Sequence, residues 1–196
     1  MSMKQKYTDK DVLSPGTVII SAVGHTEEIN KIIQPYLHEE GGYIYKIDFS
    51  SDNYSLGGSA LYQSQNKVGK NAPDIKDSKY FKLAFNTIQK CIKENTVYSG
   101  HDISSGGMIV TLLEMCLASD NYGLDIILSK EDDILELLFS ENHGIIIHAN
   151  EEIEQILSSN GINFEKLGKV KRSNTIVINY GNIKYDFKID HYRKKW

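Results

Sequence analysis

Apolar and polar positions along this chain fall into blocks whose period switches between two and about 3.6, and each switch predicts an element. Residues 17–23 (TVIISAV) are β-branched and apolar and predict a buried strand. Thr26 is placed to cap a following helix, with Glu27 and Glu28 in the first turn, where the dipole favours negative charge. Ile29, Ile32, Ile33 and Tyr36 would share its apolar face, and Gly41-Gly42 ends the unit. Residues 43–49 (YIYKIDF) predict a second strand. A polar run, SSDNYS, leads into Leu56-Gly57-Gly58-Ser59, followed by a polar loop over 64–77 with a turn at Pro73-Asp74. Phe81, Ala84, Phe85, Ile88 and Ile92 have helical spacing, which predicts a helix over 78–95 with the Phe85 ring buried.

Residues 96–99 read as a short strand running into His101 and Asp102. Residues 108–118 are apolar nearly all round, as in a helix buried on several sides. A strand is predicted over 123–128, and a short helix at Ile134, Leu135, Leu137 and Leu138. A polar turn of Glu141, Asn142 and His143, read as solvated, leads to a strand over 145–149. Asn150 caps a further helix that Gly161 closes. Two alternating strands meet at Gly181-Asn182 as a hairpin. The expected organisation is an irregular lead-in over 1–15, a folded domain over 16–190, and a tail or linker start over 191–196. The fold class is α+β: a mixed β-sheet with packed helices, rather than a strictly parallel doubly wound sheet.

Composition narrows the function classes. The chain has 196 residues, 40% hydrophobic and 24% charged, with a net charge of −4. Those values are ordinary for a globular domain. Lysines are scattered and the one basic cluster is the terminal HYRKKW, so no basic face for nucleic acid is expected. No apolar run approaches the ~18 residues of a membrane span. The polar start, MSMKQKYTDK, has no secretory core. Cys91 and Cys116 sit among apolar residues of predicted helices and read as buried, reduced thiols. The expected compartment is cytoplasmic.

The candidate chemistry is in residues 99–110, SGHDISSGGMIV. The first N–H groups of the helix after Gly106-Gly107 lack partners in the helix and carry its positive dipole end. Ser104 and Ser105 add hydroxyl donors. Asp102 would repel a bare phosphate and makes sense beside one when a hard cation such as Mg²⁺ lies between them. The other reading is that Asp102 or Ser104 caps the helix. The spacing matches neither a Walker A loop nor the dinucleotide fingerprint. Gly57, Gly58 and Ser59 form a second glycine–hydroxyl loop, weak by itself. His101 could do acid–base work or be a structural hydrogen-bonded histidine. Glu114 is the lone charge in an apolar helix and needs a partner if buried.

Several segments together resemble one family. GHDISSGGMIVTLLEM is similar to the pattern HD-x-S-DGG followed by a helix ending in EM. LGGSALYQ, PDIKDSKYFKLAFNTIQ and LFSENHG are similar to further motifs in the same order. From about Ser14 onward the chain resembles the C-terminal part of the synthetase region in the large phosphoribosylformylglycinamidine synthase family of purine biosynthesis. The fold implied is that of the C-terminal domain of aminoimidazole ribonucleotide synthetase, shared with selenophosphate synthetase and a hydrogenase maturation factor. The activity implied is a ligase using ATP, Mg²⁺ and ammonia from glutamine to turn formylglycinamide ribonucleotide into its amidine. The resemblance makes Asp102 the metal ligand and Ser104 the nucleotide contact. It leaves His101, Gly106, Gly107, Gly57, Gly58 and Ser59 as pocket-lining candidates. Where the family has a second aspartate this chain has Ser105, one acidic group fewer. The partners implied are the other synthetase subdomains, a glutaminase domain and nucleotide substrates. The expectation is a fragment inactive alone; the alternatives are another enzyme of the same fold or a noncatalytic interaction subdomain.

Overall fold

The strict alternation of residues 43–48 builds the strand around which the molecule is arranged. In β3 (Tyr43–Asp48), Ile44 enters one apolar cluster while Tyr45 and Ile47 enter another on the opposite face of the sheet. The computed structural model describes residues 4–13, 19–26, 28–38, 41–119 and 121–196, which divide into units of residues 1–30 and 31–196.

In the first unit, β1 (Lys4–Lys6) and β2 (Asp11–Leu13) pair as an antiparallel hairpin, with Lys4 opposite Leu13 and a Lys4–Asp11 ion pair at 2.5 Å. The expected lead-in is therefore not irregular throughout. Residues 14–18, which hold the expected Ser14-Pro15-Gly16 boundary and the start of the 17–23 strand, lie outside the described residues, as does Glu27. Ile19 to Val23 form no strand, and Val23 is fully exposed. An apolar run forms a strand only when a neighbour supplies hydrogen bonds and a surface to bury against, and these residues have neither. The helix expected after Thr26 is reduced to one 3₁₀ turn, Ile29–Lys31.

The second unit is a seven-stranded sheet. To β3 it adds β4 (Val97–Asp102), β5 (Tyr122–Leu128), β6 (Gly144–Ala149), β7 (Phe164–Arg172), β8 (Thr175–Tyr180) and β9 (Ile183–Lys188). Their order is β4-β6-β3-β7-β5-β8-β9, antiparallel except for the parallel pair β5 and β8. The mixed sheet of the α+β class is as expected. One face packs on α3 (Gly107–Leu117), α4 (Ile134–Phe139) and α6 (Ile189–Arg193), through Ile44, Leu124, Ile126, Ile146, Ile176 and Ile178. The other face packs on α2 (Ser78–Lys93) and α5 (Glu152–Ser159) through Tyr45, Ile47, Ile147 and Ala149. A short α1 (Ala60–Ser64) follows the first glycine loop.

Three expectations change here. Phe85 lies on α2 but is 46% exposed, stacked on Phe81, because the buried stripe of the helix runs through Ala84, Thr87, Ile88 and Cys91. β7 was not expected as a strand; it sits mid-sheet between β3 and β5. The terminal HYRKKW is not simply a solvated tail: Arg193 Nε donates to the Leu117 carbonyl at 3.0 Å and, with buried Ile189 just before the segment, anchors α6 to the end of α3. Cys91 and Cys116 are free and buried, as expected.

Candidate functional site: two glycine loops joined by an acid

The quoted loop begins inside the sheet. His101 and Asp102 are the last residues of β4, paired with Ile146 and Ile145 of β6. Ile103 is buried and its N–H donates to Gly144 O at 2.9 Å, which fixes the exit of the strand. Ser104 and Ser105 are exposed. Gly106 (φ +94°) and Gly107 (φ +73°) then turn the chain into α3 through left-handed conformations that side chains resist. A Cβ on Gly107 would also stand 2.7 Å from the Phe139 carbonyl carbon, so the start of α3 is pressed against the end of α4.

Neither Asp102 nor Ser104 caps α3 with its side chain; the N-cap is Gly106, and the Ser104 carbonyl accepts from Gly107 N at 3.0 Å. The Asp102 carboxylate is 77% exposed, 3.5 Å from His101 Nδ1. It is thus available to a cation. Among the described residues no cluster of His, Cys, Asp and Glu is close enough to hold a metal ion unaided. One carboxylate is nevertheless a fit to Mg²⁺, which takes one or two carboxylates and completes its shell with water and phosphate oxygens.

His101 stands between Asp102 and Glu114 of α3. Its Nδ1 is 2.9 Å from the Asp102 carbonyl, an acceptor only, so Nδ1 carries a proton. Its Nε2 is 3.6 Å from Glu114 Oε2, an ion pair when both ring nitrogens carry protons. His101 and Glu114 line an open cleft of about 400 Å³ with Leu117, Ala118, Arg193 and Trp196.

The Leu56–Ser59 loop is pinned by the chain that follows α1. Gly57 N donates to Asn71 O at 2.8 Å and Gly58 N to Val68 O at 2.6 Å. Ser59 is buried, and its hydroxyl caps α1 by accepting from Tyr62 N at 3.3 Å.

The residue that joins the two loops is Glu141. Its Oε1 accepts from Ala60 N and from Gly106 N, both at 2.8 Å. Its neighbours hold the connecting chain. Ser140 Oγ accepts from Ser55 N at 3.3 Å, and buried Asn142 Nδ2 lies 3.2–3.3 Å from Ser50 Oγ and the carbonyls of Asp52 and Asn53. The turn read as solvated is therefore a structural hub. Its signal in the sequence was three consecutive side chains, Ser140, Glu141 and Asn142, that can each accept a hydrogen bond, followed at once by a β-strand.

Below this hub Lys46, its side chain only 6% exposed, meets Glu165 at 3.3 Å and contacts the Tyr54 hydroxyl. Burial pushes the Lys46 amine below the ordinary lysine range, against the opposing pull of Glu165. Burial, then Glu165, pushes the Tyr54 phenol up. The Tyr54 hydroxyl donates to Glu165 at 2.9 Å, so this cluster ties the approach to the first glycine loop onto β3 and β7.

Sheet order, helix placement and glycine loops together define an α+β domain of the synthetase type. The same fold is seen in Thermotoga maritima PurL complexed with FGAR, with a TM-score of 0.69 and 15% identity over 84% of this chain and 30% of that one. Residues 49–181 match the family described as AIR synthase related protein, C-terminal domain, and the chain belongs to that family. Among curated relatives, the probable chloroplastic/mitochondrial phosphoribosylformylglycinamidine synthase of Arabidopsis thaliana is 33% identical over 93% of this chain. Phosphoribosylformylglycinamidine synthase of Homo sapiens is 33% identical over 80% of it. The chain spans 13% and 12% of the lengths of these relatives.

Proposed function

We propose that the chain is a nucleotide-handling domain of a phosphoribosylformylglycinamidine synthase, an ATP-dependent carbon–nitrogen ligase with glutamine as amido donor. The observation that carries the reading is the convergence of both glycine loops on Glu141, with the exposed Asp102 carboxylate and the Ser104 and Ser105 hydroxyls at the open side of the start of α3. Hydroxyls beside the positive dipole end of a helix start suit phosphate oxygens. Asp102 would hold Mg²⁺, which supplies neutralisation of phosphate charge when bound. Ser104 would donate to the nucleotide. Other T. maritima PurL structures are described as complexes with ATP, ADP and AMPPCP, which supports a nucleotide ligand. The relatives named above carry the synthase name, which favours this reading over the selenophosphate and hydrogenase-maturation alternatives.

The test is a backbone NMR titration of the chain with Mg-ADP. Shifts concentrated at Asp102–Met108 are expected, with affinity in the ~1 mM range, about −4 kcal/mol. Asp102→Asn should abolish the Mg²⁺-dependent part, and Ser104→Ala should cost less, ~0.5–1.5 kcal/mol for one neutral hydrogen bond. Equal response of wild type and Asp102→Asn overturns the metal role.

A further inference from the structure

We propose that Glu141 is a positioning residue that locks the two glycine loops at a fixed separation and restricts an incoming phosphate to the Ser104–Ser105 side of α3; the second half of this rests on the nucleotide reading above. Both donors that Glu141 serves are groups the helices leave unpaired. Ala60 N opens α1, and Gly106 N belongs to an N-cap without a side-chain cap bond. One carboxylate oxygen satisfies both, and hydrogen bonds to a carboxylate are among the strong ones. Four further loop donors are already paired: Gly57 N with Asn71 O, Gly58 N with Val68 O, Ser59 N with Leu56 O and Gly107 N with Ser104 O.

Glu141 is itself held in place. It follows α4, whose end lies against Gly107, and Ser140 and Asn142 on either side grip residues 50–55. The carboxylate, the start of α3 and the first glycine loop therefore move as one body. With its oxygen on both inner donors, Glu141 leaves the exposed hydroxyls of Ser104 and Ser105, and a cation held by Asp102, as the approach for a phosphate.

The test compares wild type, Glu141→Gln and Glu141→Ala in this chain by amide hydrogen exchange at Ala60 and Gly106, with Ile88 in α2 as an internal reference, and by Mg-ADP titration. Gln retains an acceptor oxygen, so both amides should stay within about threefold of wild type. Ala should speed exchange at Ala60 and Gly106 together by about tenfold or more, leave Ile88 unchanged, and weaken Mg-ADP by about tenfold. Protection of either amide surviving in Glu141→Ala overturns the lock. If Ile88 is also lost in Glu141→Ala, Gln decides: retained protection and Mg-ADP affinity support the role, and loss of both amides refutes it. If wild type gives no Mg-ADP response while the amides behave as expected, the nucleotide reading and the phosphate restriction fail and the lock stands.

Discussion

Single residues in this chain differ most in what burial does to them. Cys116 is fully buried on α3, and desolvation pushes its thiol up to about 12, only slightly opposed by Arg193. The folded state therefore keeps this proton in a range where the unfolded chain, titrating near the ordinary thiol value of 9.0, gives it up. The resulting contribution is fully present below pH 9 and is lost as pH rises from 9 towards 12. Each unit is worth about 1.4 kcal/mol, so between pH 9 and 11 wild type should lose on the order of 3 kcal/mol relative to Cys116→Ala. Denaturant midpoints of the two proteins across that range check this; parallel pH profiles would contradict it. The candidate site was legible at this scale only in part. Asp102, Ser104 and the glycine pair stood out because hydroxyls, an acid and two glycines between a strand and a helix are chemically conspicuous. The turn of Glu141, Asn142 and His143 was visible as polar but read as solvated, because the partners of Glu141 are the backbone N–H groups of Ala60 and Gly106, which side-chain spacing does not reveal.

At the scale of elements, legibility followed regularity of period. The helix over 78–93, the apolar α3 and the final hairpin were readable because their apolar spacing is unbroken. β7 was not, since its register slips between Ile44 and Tyr45 of β3, so its buried residues, Leu167 and Val170, fall three apart instead of two. Lys166, Lys169 and Lys171 then fill the remaining positions and disguise a central strand as a charged loop. Gly168 belongs to the same irregularity: a Cβ there would lie 1.9 Å from Asp125 O. The opposite error occurred at 19–23, where an apolar run found no neighbouring strand. Within α2 the spacing gave the helix but not the centre of its buried stripe, and this sets a prediction. Ile88→Ala, at a buried site, should cost ~2–5 kcal/mol. Phe85→Ala, at a half-exposed ring, should cost about 1 kcal/mol or less. Chemical denaturation of both variants measures the difference, and equal losses would mean that the ring is buried after all.

For the chain as a whole, what matters is how open the candidate site is. One face of the sheet is covered by α3, α4 and α6, and on the other the apolar cluster beneath α2 and α5 is built on β4, β6, β3 and the Phe164 end of β7. On the rest of that second face Asp125, Val177 and Asp186 stand in line, and Ile127 is 68% exposed. At the candidate site Ser104, Ser105 and Asp102 are open to water, where charge interactions are weak. The cleft beside α3 is lined by His101 and Glu114 and turns away from those hydroxyls. Ligation of ammonia to an activated amide needs ATP, ribonucleotide and amine held in near-attack geometry, where a misplacement of about 1 Å can cost ~100-fold. On the proposed reading, two loops joined by Glu141 would supply a phosphate seat and one metal ligand, both open to water. The purified 196-residue chain, given ATP, Mg²⁺, formylglycinamide ribonucleotide and ammonium chloride, should therefore release no ADP above background, even where Mg-ADP shifts the amides of Gly106 and Gly107. A coupled assay for ADP measures it. Turnover approaching the ~10 s⁻¹ typical of enzymes would mean that this sheet and its two loops already hold the complete reacting geometry.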